Sequence, residues 1–267
     1  MIRDIDGLIK KVSLELQSFT DMAVIGLSGG ADSTLVALLC KMALGKDNVW
    51  GVHMPFDAYD EIKFNNDSHQ FATFIGISQS EFFIKDTCME FVRQISHMAD
   101  ETAKTVILGN LKARVRMTAL YSIAQVLEMQ FGRRVRVIGT DNLSENFLGY
   151  FTKYGDGGVD INPIGELFKS EVYQLLDYFK SIGWINEDHI NRTPSAGLWP
   201  GQTDEGELGH TYDDIEKSIR ALHENSLEPR IGSECDEFVL NMYEKNNHKR
   251  EMPPEIFLRE FCDWRFI

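Results

Sequence analysis

The chain reads as an α/β fold, a doubly wound and mainly parallel sheet with helices on both faces. Three observations predict it. Helix-like and strand-like segments alternate through residues 5 to 139. The strand-like segments are short continuous apolar runs, as strands covered on both faces require. A glycine-rich turn joins the first of these runs directly to an apolar helix. Taken in order, Ile5, Leu8, Ile9, Val12, Leu16 and Phe19 fall at helical spacing, and Met22 to Leu27 follows as a buried strand. A Leu- and Ala-rich helix is predicted over Ser33 to Leu44, a second strand over Val49 to Met54, a helix over Phe64 to Ile75 and a third strand over Glu81 to Ile84. A long helix is predicted over Leu111 to Phe131, ended by Gly132, with a fourth strand over Val135 to Gly139 leading into a polar loop. Beyond residue 150 two loops rich in Gly, Pro, Asp and Thr (152–165 and 192–212) separate helices near 168–182, 213–225 and 234–247. Loops of that length are usually functional or mobile. No repeat or linker divides residues 1–267, so one domain is expected.

Composition narrows the function. Forty-one acidic residues against 27 basic ones leave a formal charge of −14, which lacks the electrostatic footprint of a general nucleic-acid or anionic-membrane binder. A phosphate-bearing partner would have to be met by a local site. Cys40, Cys88, Cys235 and Cys262 show no paired zinc spacing and no dense disulfide pattern, so free thiols in a reducing compartment are expected. The first residues carry acids where a signal peptide needs a basic start, and no run approaches a membrane span. These features imply a cytoplasmic protein with neither nucleic acid nor membrane as partner.

Chemistry concentrates first in Gly26-Leu27-Ser28-Gly29-Gly30-Ala31-Asp32-Ser33. Lying between a strand and a helix, the segment occupies the carboxyl edge of the sheet, where open α/β folds bind ligands. Gly29 and Gly30 permit a tight turn whose N–H groups can approach an anion, and the helix start adds further donors. The Walker A lysine is absent, and a carboxylate stands at Asp32 instead. Beside a phosphate at about 4 Å it would be repelled by ~4 kcal/mol at an effective dielectric of 20. A bridging cation removes that repulsion, and Mg²⁺ suits both carboxylate and phosphate oxygens. Asp32 is therefore a candidate metal ligand and Ser33 a candidate phosphate donor, although an Asp-Ser helix start after a glycine turn is also ordinary capping chemistry.

Ser28 to Ser33 resembles the SGGxDS signature of the ATP pyrophosphatases of the PP-loop family, whose fold is adenine nucleotide alpha hydrolase-like. Further segments sharpen the likeness in order along the chain: Gly109 to Met117, Gly139-Thr140-Asp141 with Glu145, Gly149 to Pro163, Leu167-Phe168-Lys169, Thr193-Pro194-Ser195-Ala196, Leu208 to Tyr212, and His248-Lys249-Arg250. Together they are similar to ammonia-dependent NAD synthetase. The resemblance implies ATP-dependent amidation of nicotinic acid adenine dinucleotide (deamido-NAD) through an acyl adenylate, with release of AMP and pyrophosphate. It implies ATP as co-substrate, Mg²⁺ as metal and a homodimer. By the same resemblance Gly26, Leu27, Ser28, Gly29, Gly30, Ala31, Asp32 and Ser33 hold ATP phosphates, Thr140, Lys169 and Ser195 contact ATP, and Asp32 and Glu145 bind Mg²⁺. Arg114, Lys153, Asp160, His248 and Lys249 match positions that bind the dinucleotide. Asp32, Ser33, Asp160 and Lys169 are the candidate catalytic residues, Asp160 as the carboxylate that steers or deprotonates ammonium. Lys169 opens a helix, where the macrodipole disfavours a cation unless an anion compensates. Arg114, Thr118 and Tyr121 share one helix face able to present a guanidinium to phosphate, although a solvated basic face has the same spacing.

Ser195 stands where the family usually has threonine and Gly197 where aspartate is common. The nitrilase-type amidase domain of the glutamine-dependent branch is not expected, since only about 20 residues precede the first strand. Two competing readings remain. A tRNA-modifying or GMP-forming pyrophosphatase is opposed by the net charge, the missing cysteine pair and the 153–163 loop. A non-catalytic nucleotide binder is opposed by Asp32, Glu145 and Lys169.

Overall fold

The computed structural model describes residues 1–57, 66–98, 100–187, 203–224 and 232–254. Helix α1 (Ile5–Phe19) is capped by Asp4, whose carboxylate accepts from Gly7 N at 2.8 Å. Then come β1 (Met22–Gly26), α2 (Ala31–Leu44), β2 (Val49–His53), α3 (Asn66–Ile75), β3 (Ser78–Glu81), α4 (Lys85–Ile95), α5 (Glu101–Phe131) and β4 (Val135–Ile138). Short α6 (Leu143–Leu148), α7 (Lys169–Ser181), α8 (Asp204–Leu208), α9 (Tyr212–Glu224), α10 (Glu234–Lys245) and α11 (Asn247–Arg250) complete the described elements.

The strands form one parallel sheet in the order β3-β2-β1-β4, with Val24 opposite Trp50 on one side and Val137 on the other. Successive β1 side chains face opposite ways, as the two-residue strand period demands. Ala23 and Ile25 pack with α1, α2 and α7, whereas Met22 and Val24 pack with α4 and α5. Both faces are thus covered, which is the doubly wound arrangement the sequence predicts. A third apolar cluster, built on Leu148, Phe168, Leu208, Ile215, Ile219 and Val239, joins α6, α8, α9 and α10 beyond the sheet.

The chain leaves β1 toward β2 on one side and returns to pair β4 on the other, so the strand order reverses between β1 and β4. A crevice opens at their carboxyl ends, where the loops diverge.

Some boundaries differ from expectation. The third strand lies over Ser78–Glu81, not 81–84. As the last strand in the order it is polar and only partly covered, and the apolar run Phe82 to Ile84 follows it. The long helix begins ten residues before Leu111, with Asp100 accepting from Ala103 N at 2.8 Å, and passes straight through Gly109-Asn110. The polar loop after β4 contains α6, and the 192–212 loop contains α8.

Candidate active site

The turn from β1 into α2 is built by glycine and two serines. Gly29 has φ +74°, the left-handed conformation that favours glycine. Gly30 is extended at the N-cap, and no side chain caps α2, so the first-turn N–H donors stay available to a ligand. The Ser28 and Ser33 hydroxyls lie 3.1 Å apart. Ser28 Oγ accepts from Gly30 N at 3.2 Å, and Ser33 Oγ donates to Gly30 O at 3.2 Å. The serines thus fasten the loop on itself.

Facing this turn, the segment after β4 delivers Thr140, Asp141 and Asn142. Asn142 caps α6 by accepting from Glu145 N at 3.1 Å, while Glu145 Oε2 accepts from Asn142 N at 3.4 Å. The amide of Asn142 donates to Asp32 Oδ1 at 3.1 Å, which ties the two loops together. Lys169, first residue of α7, donates from Nζ to Asp32 Oδ2 at 2.5 Å and to Glu145 Oε1 at 3.3 Å. Its side chain is 5% exposed. A buried cation at a helix N-terminus is unfavourable on two counts, and the two carboxylates offset both. Glu145 therefore serves twice, with one oxygen closing its own helix and the other turned to the cation.

The electrostatics follow from burial among like charges. Burial opposes the charge of Lys169, yet Glu145 and Asp32 hold it protonated well above the usual lysine range. Glu145 is pushed up to about 7, because burial, reinforced by Asp32 and Asp204, outweighs the pull of Lys169. Asp141 is raised by burial, then by Asp156, Glu145 and Asp32. A site with this much compressed negative charge has room for further positive charge.

A cavity of about 530 Å³ lies over the turn, lined by Gly26 to Ser28, Gly30 to Ser33, Thr140, Glu145 and Lys169 among others. Of the residues matched to dinucleotide binding, Lys249 lines it, and its ammonium also clamps the backbone by donating to Gly149 O and Phe151 O, both at 2.8 Å. Arg114 does not line it. It is exposed, with Nε 3.4 Å from Lys153 O, and the arginine of α5 that reaches the cavity is Arg116. Lys153 donates to the backbone carbonyl of His248, and the His248 side chain is exposed. Asp160 lines a second cavity of about 460 Å³ beside Tyr121 and Arg136, where its carboxylate accepts from Tyr121 OH at 3.2 Å and Val137 N at 2.8 Å. Ser195 and Gly197 lie outside the described residues.

The sequence alone gives no individual role to Asp141, Asn142, Asp156, Arg116 or Asp204. The Asn-x-x-Glu capping pattern pointed to Asn142. Arg116, two residues from Arg114, is separated from it only by helix rotation, which tertiary packing sets.

A glycine turn rich in N–H donors, two carboxylates converging on one cation and a deep crevice suit a polyphosphate with its counter-ion. Comparisons with known proteins agree. The family model described as NAD synthase matches residues 2–253. An NH(3)-dependent NAD(+) synthetase of Methanococcoides burtonii is 42% identical over 250 residues, 91% of this chain and 90% of that protein. Among solved structures, the NMN synthetase of Francisella tularensis aligns with a TM-score of 0.79 at 29% identity, over 96% of this chain and 99% of the other. The NH3-dependent NAD synthetase of Campylobacter jejuni aligns with a TM-score of 0.74 at 29% identity, over 96% and 100%. With one family model spanning nearly its whole length, the chain belongs to the NAD synthase family.

Proposed function

We propose that this chain catalyses the ATP-dependent amidation of deamido-NAD to NAD with ammonia as nitrogen source. The observation that carries the reading is its match, along most of its length, to curated ammonia-dependent NAD synthetases. The chemistry suits the site. A carboxylate resists ammonia because its charge repels the nucleophile and oxide leaves poorly. Transfer of AMP from ATP to the nicotinate carboxylate, with pyrophosphate departing, provides AMP as the leaving group that ammonia then displaces. Catalysis becomes positioning and charge stabilisation.

In this reading the backbone from Gly26 to Ser33 receives the ATP phosphates, and Thr140, Lys169 and Ser195 contact the nucleotide. Lys169 lines the same cavity as the turn, its Nζ 2.5 Å from Asp32 Oδ2, so a phosphate seated on the turn would meet its positive charge. Asp32 and Glu145 would hold Mg²⁺. The donor set fits, since two hard carboxylates already converge on one ammonium at 2.5 and 3.3 Å. Bound there, the ion supplies positive charge against phosphate oxygens. Lys249, Lys153, His248, Arg114 and Asp160 are assigned to the dinucleotide, with Asp160 facing ammonium. The working form is taken to be a single domain in a cytoplasmic homodimer. Support comes from the free buried thiols Cys40, Cys88 and Cys235, exposed apolar side chains such as Phe82, Phe83 and Phe91, and the lack, among the described residues, of a helix long and apolar enough to cross a membrane.

The test is to incubate the protein with ATP, Mg²⁺ and deamido-NAD, with ammonium or glutamine, and to quantify NAD, AMP and pyrophosphate by chromatography. Equal amounts of all three with ammonium alone are expected. ATP cleavage without NAD would refute the acceptor. A parallel arm with nicotinic acid mononucleotide covers the second reading, favoured by the likeness to an NMN synthetase.

A further inference from the structure

Resting on that reading, we infer that Tyr212, which does not line the cavity, is a positioning residue that sets the carboxylate of Glu145 for the nucleotide and its cation. The phenol is 6% exposed at the start of α9, and its oxygen lies 3.2 Å from Glu145 Oε1 and 3.1 Å from Asp204 Oδ2. Glu145 Oε1 is the same oxygen that receives the Lys169 ammonium. Its partner Oε2 is turned back to Asn142 N. Without Tyr212 the inward oxygen would be held, among the described residues, by Lys169 alone, the group that a nucleotide draws toward its phosphates. The phenol keeps Glu145 in place when that happens.

The platform carrying the phenol is itself anchored. One turn further along α9, Glu216 is 6% exposed; its Oε1 accepts from Ser170 N at 3.0 Å and Ser144 Oγ at 3.3 Å, and its Oε2 accepts from Ser170 Oγ at 2.6 Å. Ser144 Oγ in turn accepts from Lys169 N at 3.2 Å. These bonds fix α9 against the starts of both α6 and α7, the helices that bring Glu145 and Lys169. Tyr212 is therefore delivered from a rigid base to one side of the site while the β1–α2 turn forms the other.

Tyr212→Phe removes the hydroxyl and keeps the buried ring, and Tyr178→Phe, which deletes a phenol–carboxylate bond to Asp6 on α1, serves as control. Each is compared with wild type for turnover, for affinity toward Mg²⁺ plus a non-hydrolysable ATP analogue by calorimetry, and for melting temperature. The expected result for Tyr212→Phe is a loss of about tenfold or more in kcat/KM for ATP, with a parallel loss in analogue affinity. The KM for ammonia should stay within about twofold and the melting temperature within about 2 °C, with Tyr178→Phe normal throughout. Unchanged analogue affinity and turnover would overturn the inference. So would a uniform loss for all substrates matched by a lower melting temperature, which would mark a merely structural phenol. If wild type binds the analogue but forms no NAD, while Tyr212→Phe still binds it more weakly, the amidation reading fails and the positioning role stands.

Discussion

Replacing Glu145 by glutamine tests the electrostatic account of the site most directly. The carboxyl is 15% exposed, and its ionisation is held up from the ordinary 4.5 to about 7, chiefly by burial. A rise of that size corresponds to about 3 kcal/mol. Because the folded value lies above the unfolded one, the stability Glu145 contributes is fully present below pH 4.5 and is lost as pH rises through 7. Glutamine keeps the shape and cannot ionise. Between pH 4.5 and 8 the difference in unfolding free energy should therefore move by about 3 kcal/mol in favour of Glu145→Gln, equivalent to roughly 6 °C or more in melting temperature. Urea unfolding at a series of pH values, in buffer with a chelator, measures it. Millimolar Mg²⁺ should reduce the difference at pH 8 by giving the wild-type carboxylate a counter-ion, and the variant should be deficient in amidation. A difference that stays flat across this pH range, with or without the ion, would refute the argument that a compressed negative cluster awaits positive charge.

Other consequences are open to measurement. Lys169→Met leaves Asp32 and Glu145 without their shared cation and should cost about 3 kcal/mol of stability above pH 7; NAD formation should fall about a hundredfold or more while analogue binding persists, as stopped-flow and calorimetry would show. Asp160→Asn, which removes the charge beside Tyr121 and Val137 N, should raise the KM for ammonia several-fold, and normal amidation at limiting ammonia would remove that role from Asp160. Gly149 sits at φ +63°, and a Cβ there would lie 2.3 Å from Asn246 Cβ; Gly149→Ala should therefore cost about 3 kcal/mol or more, read by thermal unfolding.

The sequence made the sheet core and phosphate turn legible because their signals are local. Short apolar runs such as Met22 to Leu27, too brief for a helix and followed by a glycine turn, read as strands covered on both faces, and the turn carries its requirements in Gly29 and Gly30. β3 was misplaced because a strand at the sheet's edge needs no apolar run, so the hydrophobic signal of Phe82 to Ile84 was read in its stead. The first ten residues of α5 were hidden by Gly109 and Asn110, poor helix formers overruled by packing. Helix α4 starts without a capping side chain, although Cys88, Phe91, Val92 and Ile95 fall at helical spacing and could have announced it. Asp32, Glu145 and Lys169, which ordered motifs single out, are brought into contact by the fold. Tyr212 and Asp204 approach Glu145 from 67 and 59 positions away, a proximity that only the folded chain creates.

The third apolar cluster places α6, α8, α9 and α10 on a footing of their own, outside the two layers that sandwich the sheet. The candidate site therefore straddles a seam: Asp32 and Lys169 are rooted in helices packed on the sheet, Glu145 and Asp204 in the satellite. Once the Glu216 bonds to Ser170 break, such a satellite can open as a cooperative unit while the sheet stays folded. Hydrogen exchange should then show amides of α9 and α10 released earlier than those of β1 and α2, and a nucleotide gripping both sides should merge the two exchange classes. Inactivation on warming would accordingly precede global unfolding, and substrate itself would act as the rivet across the joint.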